Sequence, residues 1–140
     1  MKVSEHFYLQ EFLPEEVFDY FKNDGIWLLD RKIIDLAQLI RERAKRPITI
    51  NNWMDGGNFQ ERGFRSYNSN TGVRFSQHRF GRAIDFSATN LLQIYTDITK
   101  NFSEYKKAGL TTVENIGNTL KWIHCDTRYT GLESLLIFKP

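Results

Sequence analysis

Ser76-Gln77-His78-Arg79-Phe80-Gly81-Arg82-Ala83-Ile84-Asp85-Phe86 is the stretch around which the 140-residue chain is organised. His78 and Asp85 stand seven positions apart, with Gly81 between them. An extended chain would separate them by roughly 23 Å at about 3.3 Å per residue. They share one small site only if the backbone folds back, and glycine is the residue that tolerates such a bend. Ala83 to Phe86 then reads as a short buried strand. Asp85 would sit on regular structure and His78 on the loop leading into it. One imidazole and one carboxylate make two of the three protein ligands of an open zinc site, so a third must come from elsewhere.

The bulk properties bound the reading. Residues 1–140 are expected to form a single domain, large enough for a proper core. Hydrophobic residues make up 41% and aromatics 14%, a globular composition. The formal net charge is +2, with Lys and Arg scattered. Nothing resembles the basic stripe of a nucleic-acid-binding protein, so no nucleic-acid partner is expected. Cys125 is the single cysteine, which excludes an intramolecular disulfide. No apolar run reaches membrane-spanning length. The start, Met1-Lys2-Val3-Ser4-Glu5-His6, lacks a signal-peptide core, so synthesis in the cytoplasm without a signal peptide is expected.

Upstream, Phe7, Leu9 and Phe12 read as core anchors. Pro14-Glu15-Glu16 opens a helix that ends at Asn23-Asp24-Gly25. Asp30 caps a second helix running to about Ala44, with Ile33, Leu36, Ala37 and Ile40 at helical spacing. Ile48-Thr49-Ile50 reads as a strand running towards Trp53. Residues 55–75 form a long irregular stretch that carries Arg62, Arg65 and Arg74, and a loop of that length feeding the His78 segment suggests function. Downstream, a third helix is expected from about Leu91 to Lys107, then a strand over Thr111–Glu114. A turn over residues 116–119 and a returning strand over residues 120–126 complete a hairpin. Leu135–Phe138 reads as an edge strand.

Alternation in the returning strand puts Trp122, His124 and Asp126 on one face and Lys121, Ile123 and Cys125 on the other. Buried imidazole and carboxylate groups are costly without partners. If this strand lies beside Ala83–Phe86, His124 converges with Asp85. His78, Asp85 and His124 would then hold a metal with a fourth position left for water, the pattern of catalytic zinc. His6 is expected on the surface, and Cys125 is expected to pack in the interior.

The spacing Ser-x-His-x-x-Gly-x-Ala-x-Asp runs through Ser76, His78, Gly81, Ala83 and Asp85, and Trp-x-His-x-Asp follows at Trp122, His124 and Asp126. Together these resemble the zinc D-alanyl-D-alanine carboxypeptidase family, which includes phage and bacterial peptidoglycan peptidases. Ser4-Glu5-His6-Phe7-Tyr8-Leu9-Gln10-Glu11-Phe12 resembles the opening of that family's small single-domain branch. The resemblance implies an α+β fold of the hedgehog and D-alanyl-D-alanine-peptidase kind, with a small antiparallel sheet packed against about three helices. It places Zn2+ on His78, Asp85 and His124.

Such enzymes need a general base to activate the zinc-bound water. Many members carry an acid three positions before the last ligand, where this chain has Lys121. Asp126, on the ligand face, is the first candidate; Glu114 on the partner strand is the second. The family also uses an upstream arginine for the oxyanion or the substrate carboxylate. Arg62 fits by its distance from Ser76, and Arg65 by its local context, Gly63-Phe64-Arg65-Ser66. The implied function is hydrolysis of peptide bonds, D,D or L,D, in peptidoglycan stem peptides. The expected protein is a monomer acting on the cell wall after delivery by a phage or virion. The alternative is a non-catalytic module of the same fold, serving in wall binding or as a virion part.

Overall fold

The computed structural model describes residues 1–117 and 121–139. The architecture is α+β, with four α-helices and a four-stranded mixed sheet among the described residues. Helix α1 (Glu15–Phe21) follows Pro14, whose fixed φ suits a helix start, and carries Glu15 and Glu16 against the positive end of its dipole. It gives way at Lys22 to a tighter 3-10 segment over Lys22–Leu28. Helix α2 (Arg31–Ala44) has the expected bounds. The Asp30 carboxylate accepts from the Lys32 amide at 3.0 Å, and Ile33, Ile34, Leu36, Ala37 and Ile40 are buried. Phe7, Leu9 and Phe12 are core residues, as the N-terminal pattern predicts.

Three expectations are corrected. Ile48–Ile50 is not a strand; only Thr49 pairs, through two backbone hydrogen bonds with Ser87 at 2.8 and 2.9 Å, and Trp53–Asp55 is a 3-10 turn. The single helix expected over 91–107 is two, α3 (Leu91–Lys100) and α4 (Phe102–Lys107), broken at Asn101. The break lets Tyr105 turn into the core, where it is 1% exposed and its hydroxyl donates to Asp97. Among the described residues there are accordingly four α-helices instead of about three.

The sheet supplies the third correction. Its order is β1 (Ala83–Phe86), β3 (Ile123–Asp126), β2 (Thr112–Glu114), β4 (Leu136–Phe138). β3 is antiparallel to both β1 and β2, but β2 and β4 are parallel. Both edges of β3 are already taken, so the returning chain adds to the free edge of β2. Running back from β3, it lies parallel to β2. Of the expected hairpin, the turn positions Asn118 and Thr119 and the strand start Leu120 lie outside the described residues.

In β1 and β3, Ile84, Phe86, Ile123 and Cys125 point into the main core with Ile33, Ile40, Ile98 and Val113. The opposite face of these strands carries Asp85, His124 and Asp126. Among the described residues, no helix is long and apolar enough to cross a membrane.

Candidate metal centre

The register of β1 on β3 pairs Asp85 with His124 directly, which brings their side chains to one spot. His78 reaches the same spot from a 3-10 turn, Gln77–Phe80, that ends at Gly81 with φ 64°. A Cβ at Gly81 would lie 2.0 Å from the Leu28 carbonyl oxygen, so the bend and the close approach both need glycine. All three side chains are buried: His78 is 1% exposed, Asp85 9% and His124 8%.

Hydrogen bonds fix which atoms face inward. His78 Nδ1 lies 2.6 Å from the Gly63 carbonyl, which can only accept, so the proton is on Nδ1 and the Nε2 lone pair is free. His124 Nε2 lies 3.0 Å from the Asp126 carboxylate and donates to it, which frees Nδ1. The three remaining atoms converge. His78 Nε2 is 3.3 Å from both His124 Nδ1 and Asp85 Oδ1, and His124 Nδ1 is 2.7 Å from Asp85 Oδ1. Bonds of about 2.0–2.1 Å in a tetrahedron put ligand atoms roughly 3.3 Å apart, so two of the three separations suit a shared metal ion, while the 2.7 Å His124–Asp85 separation is that of a hydrogen bond and would have to open around one. Two neutral nitrogens and one carboxylate oxygen aimed at a single point require a cation there, either a proton or a metal.

The electrostatics agree. Burial raises the Asp85 carboxyl, but the hydrogen bond it accepts from His124 and that residue's positive charge outweigh it and hold Asp85 well below the usual carboxylate range. Burial lowers His124, yet its bonds to Asp126 and Asp85 prevail and push it up to about 9. Burial dominates at His78 and keeps it below the ordinary imidazole value. In the metal-free protein, His124 thus takes the proton that a metal would displace.

No protein-family model, curated protein or solved structure matches this chain. What the site can hold is therefore read from its own residues. His78, Asp85 and His124 form a buried group able to bind a metal ion. Glu5, His6 and Glu42 form a second group of ligating side chains among the described residues. Its residues are exposed, and His6 is on the surface as expected.

The remaining candidates separate. Asp126 is 0% exposed. Besides His124, it accepts from Arg128, with Nε at 2.8 Å from Oδ1 and Nη2 at 2.5 Å from Oδ2. Its oxygens are occupied, and its place is that of a carboxylate orienting a ligand histidine. Glu114, at the end of β2, lines a small cavity with Asn115, Ile116, Trp122 and His124. Burial raises its carboxyl above the ordinary value; His124 pulls it down and Asp85 pushes it up.

Arg62 lies 3.5 Å over the Phe59 ring and donates to Ser87 Oγ. It lines an open groove of about 850 Å³ that reaches Asp85 and Arg65 at the metal centre and Glu15, Glu16 and Asp19 at the far side. Arg65 instead bonds Asp85 Oδ2 at 3.0 Å. Trp122 is 39% exposed and lines the same groove. Lys121 is exposed.

Two contributors escape a reading of the sequence. The Gly63 carbonyl that orients His78 carries no side-chain signal. Arg128 stands two positions beyond Asp126, and extending the strand alternation by one step would have placed it on the ligand face.

Proposed function

We propose that the chain is a zinc-dependent peptidase that hydrolyses peptide bonds in the stem peptides of bacterial peptidoglycan. The observation that carries this reading is the convergence of His78 Nε2, Asp85 Oδ1 and His124 Nδ1 beside an open groove. These residues are also the His, Asp and second His of the double motif, which resembles the zinc D-alanyl-D-alanine carboxypeptidases, so the hedgehog and D-alanyl-D-alanine-peptidase fold is proposed with it. Zinc bound there would act as a Lewis acid towards a substrate carbonyl and lower the pKa of a bound water to about 7.

The chain's own residues supply the rest. Glu114 takes the proton from the attacking water, because its carboxyl adjoins His124 without being locked into another ion pair among the described residues. Asp126 holds the His124 ring in the ligating tautomer. Arg62, stacked on Phe59 at the groove wall, presents its guanidinium to the developing oxyanion or to a substrate carboxylate. The protein acts as a monomer on the cell wall and is delivered there by a phage or virion.

The test is zinc analysis together with mass spectrometry of peptidoglycan fragments incubated with the protein. One zinc per chain and cleavage at one type of peptide bond are expected, and His78→Ala should lose both. The reading fails if zinc-loaded protein leaves the fragments intact and His78→Ala behaves identically.

A second reading, a non-catalytic wall-binding or virion module, is favoured by one observation. Lys121, exposed, stands where relatives of this motif often carry the catalytic acid. Stoichiometric zinc with no turnover on any wall peptide would select it.

A further inference from the structure

Arg65 is one of the two arginines that the sequence offers for the oxyanion or the substrate carboxylate, and its bonds turn it to another task. Its Nε donates to the Glu61 carbonyl at 2.7 Å and its Nη2 to Asp85 Oδ2 at 3.0 Å. Its backbone amide donates to the His78 carbonyl at 3.1 Å. The side chain is 11% exposed, and a Cβ at Gly72 would come within 2.7 Å of Nη1, so the loop closes tightly over the guanidinium. A planar fork held at two of its nitrogens has one orientation.

The consequence lies at Asp85. A carboxylate can offer a metal one oxygen or two. Here Oδ1 faces His78 and His124, while Oδ2 is occupied by Arg65. We infer that Arg65 is a positioning residue of the metal centre, which holds Asp85 to a single ligating oxygen and so keeps a coordination position open for water and substrate. This rests on the metal-site reading above, but it does not require the peptidase activity. It also divides the two candidate arginines: Arg62 lines the groove and serves the substrate, and Arg65 serves the ligand.

Cobalt(II) substitution tests it, because the visible absorption of cobalt is strong at low coordination number and weakens as ligands are added. Wild-type protein should bind one cobalt with strong bands. Arg65→Gln should weaken the bands as the second Asp85 oxygen joins, and should lower cobalt affinity by about 10- to 100-fold, the usual effect of losing an outer partner. Arg65→Lys, which keeps the charge but not the fork, should fall between. If Arg65→Gln does not fold, Arg65→Lys carries the comparison.

Wild-type spectra and affinity in the folded variants overturn the inference. If those variants also lose peptide turnover, Arg65 is a substrate-binding residue instead. If wild-type protein takes up no cobalt, the metal-site reading itself fails and this inference falls with it.

Discussion

Glu114 and Asp126 are both carboxylates near His124, and their surroundings give them different work. Asp126 is buried and bound by His124 and Arg128, whose charges and hydrogen bonds outweigh burial and keep it below the ordinary carboxylate value. Glu114 is only partly buried and is raised. A base must be ionised to accept a proton, so activity should fall as pH drops through the raised Glu114 value, on the high side of 4.5. Glu114→Gln is expected to lower kcat by about 10²- to 10⁴-fold, to abolish that acidic limb and to leave zinc affinity unchanged. Asp126→Asn should do the converse, weakening zinc by about 10- to 100-fold. Steady-state kinetics beside a zinc titration separates the two. If Asp126→Asn erases the acidic limb and keeps its zinc, the roles are reversed.

Between elements, the short segment from Glu61 to Arg65 braces the site. The Arg62 carbonyl accepts from the Asp85 amide at 2.7 Å, and the Gly63 carbonyl accepts from His78. The segment is held in turn by the Phe64 amide on the Phe12 carbonyl at 2.7 Å. A Cβ at Gly63 would lie 2.3 Å from that same carbonyl oxygen. Gly63→Ala should therefore destabilise the protein by about 1–3 kcal/mol, since rigid backbone must shift, and should weaken zinc through His78. Thermal melting and metal titration on one variant measure both. An unchanged melt would show that the segment moves freely.

Far from the site, α2 is tied to α3 by Arg43, whose Nη2 and Nε lie 2.7 and 2.8 Å from the two Asp97 oxygens. The Arg43 hydrogen bonds, opposed by burial and aided by Tyr105, bring Asp97 down to about 2 from 3.8. A depressed carboxyl stabilises the fold above its unfolded value and loses that contribution as pH falls through its folded value. Asp97→Asn should thus lower stability by about 1 kcal/mol at neutral pH, a value discounted for the partial exposure of the pair. The gap to wild type should close between about pH 4 and pH 2. Denaturation across that pH range checks it; a constant gap would assign the effect to packing alone.

Across the whole molecule, the metal centre draws on segments far apart in the chain, and its ligands stand on a sheet whose other face belongs to the hydrophobic core. On the proposed zinc reading, removing the metal should therefore cost stability without unfolding the protein, unlike a zinc finger, whose core is the metal. At zinc a thousandfold above its dissociation constant the contribution is about 4 kcal/mol. A chelator should lower the melting temperature while far-ultraviolet circular dichroism at room temperature stays native. Loss of that signal would mean the metal holds the fold together.

The three candidate metal-binding residues were legible because their signals are local. His78, Gly81 and Asp85 fall within eight residues, and strand alternation alone puts His124 and Asp126 on one face and Cys125 on the other. Helix α2 was legible for the same reason, through its cap and its apolar period. Other features depended on distant partners. The split of α3 from α4 follows from Tyr105 reaching Asp97, and the parallel pairing of β4 follows from β3 having both edges filled. The role of Arg65 rests on which oxygen of Asp85 it meets, and that of Glu114 on β2 lying beside β3. The sequence by itself offered His78, Asp85 and His124 as candidates for one metal-binding group, since periodicity and spacing are properties of the chain, and the pairing of β1 with β3 brought them together. Tertiary structure alone decided which charged groups touch the ligands and which face the groove, because burial and hydrogen-bond partners arise only when distant segments meet.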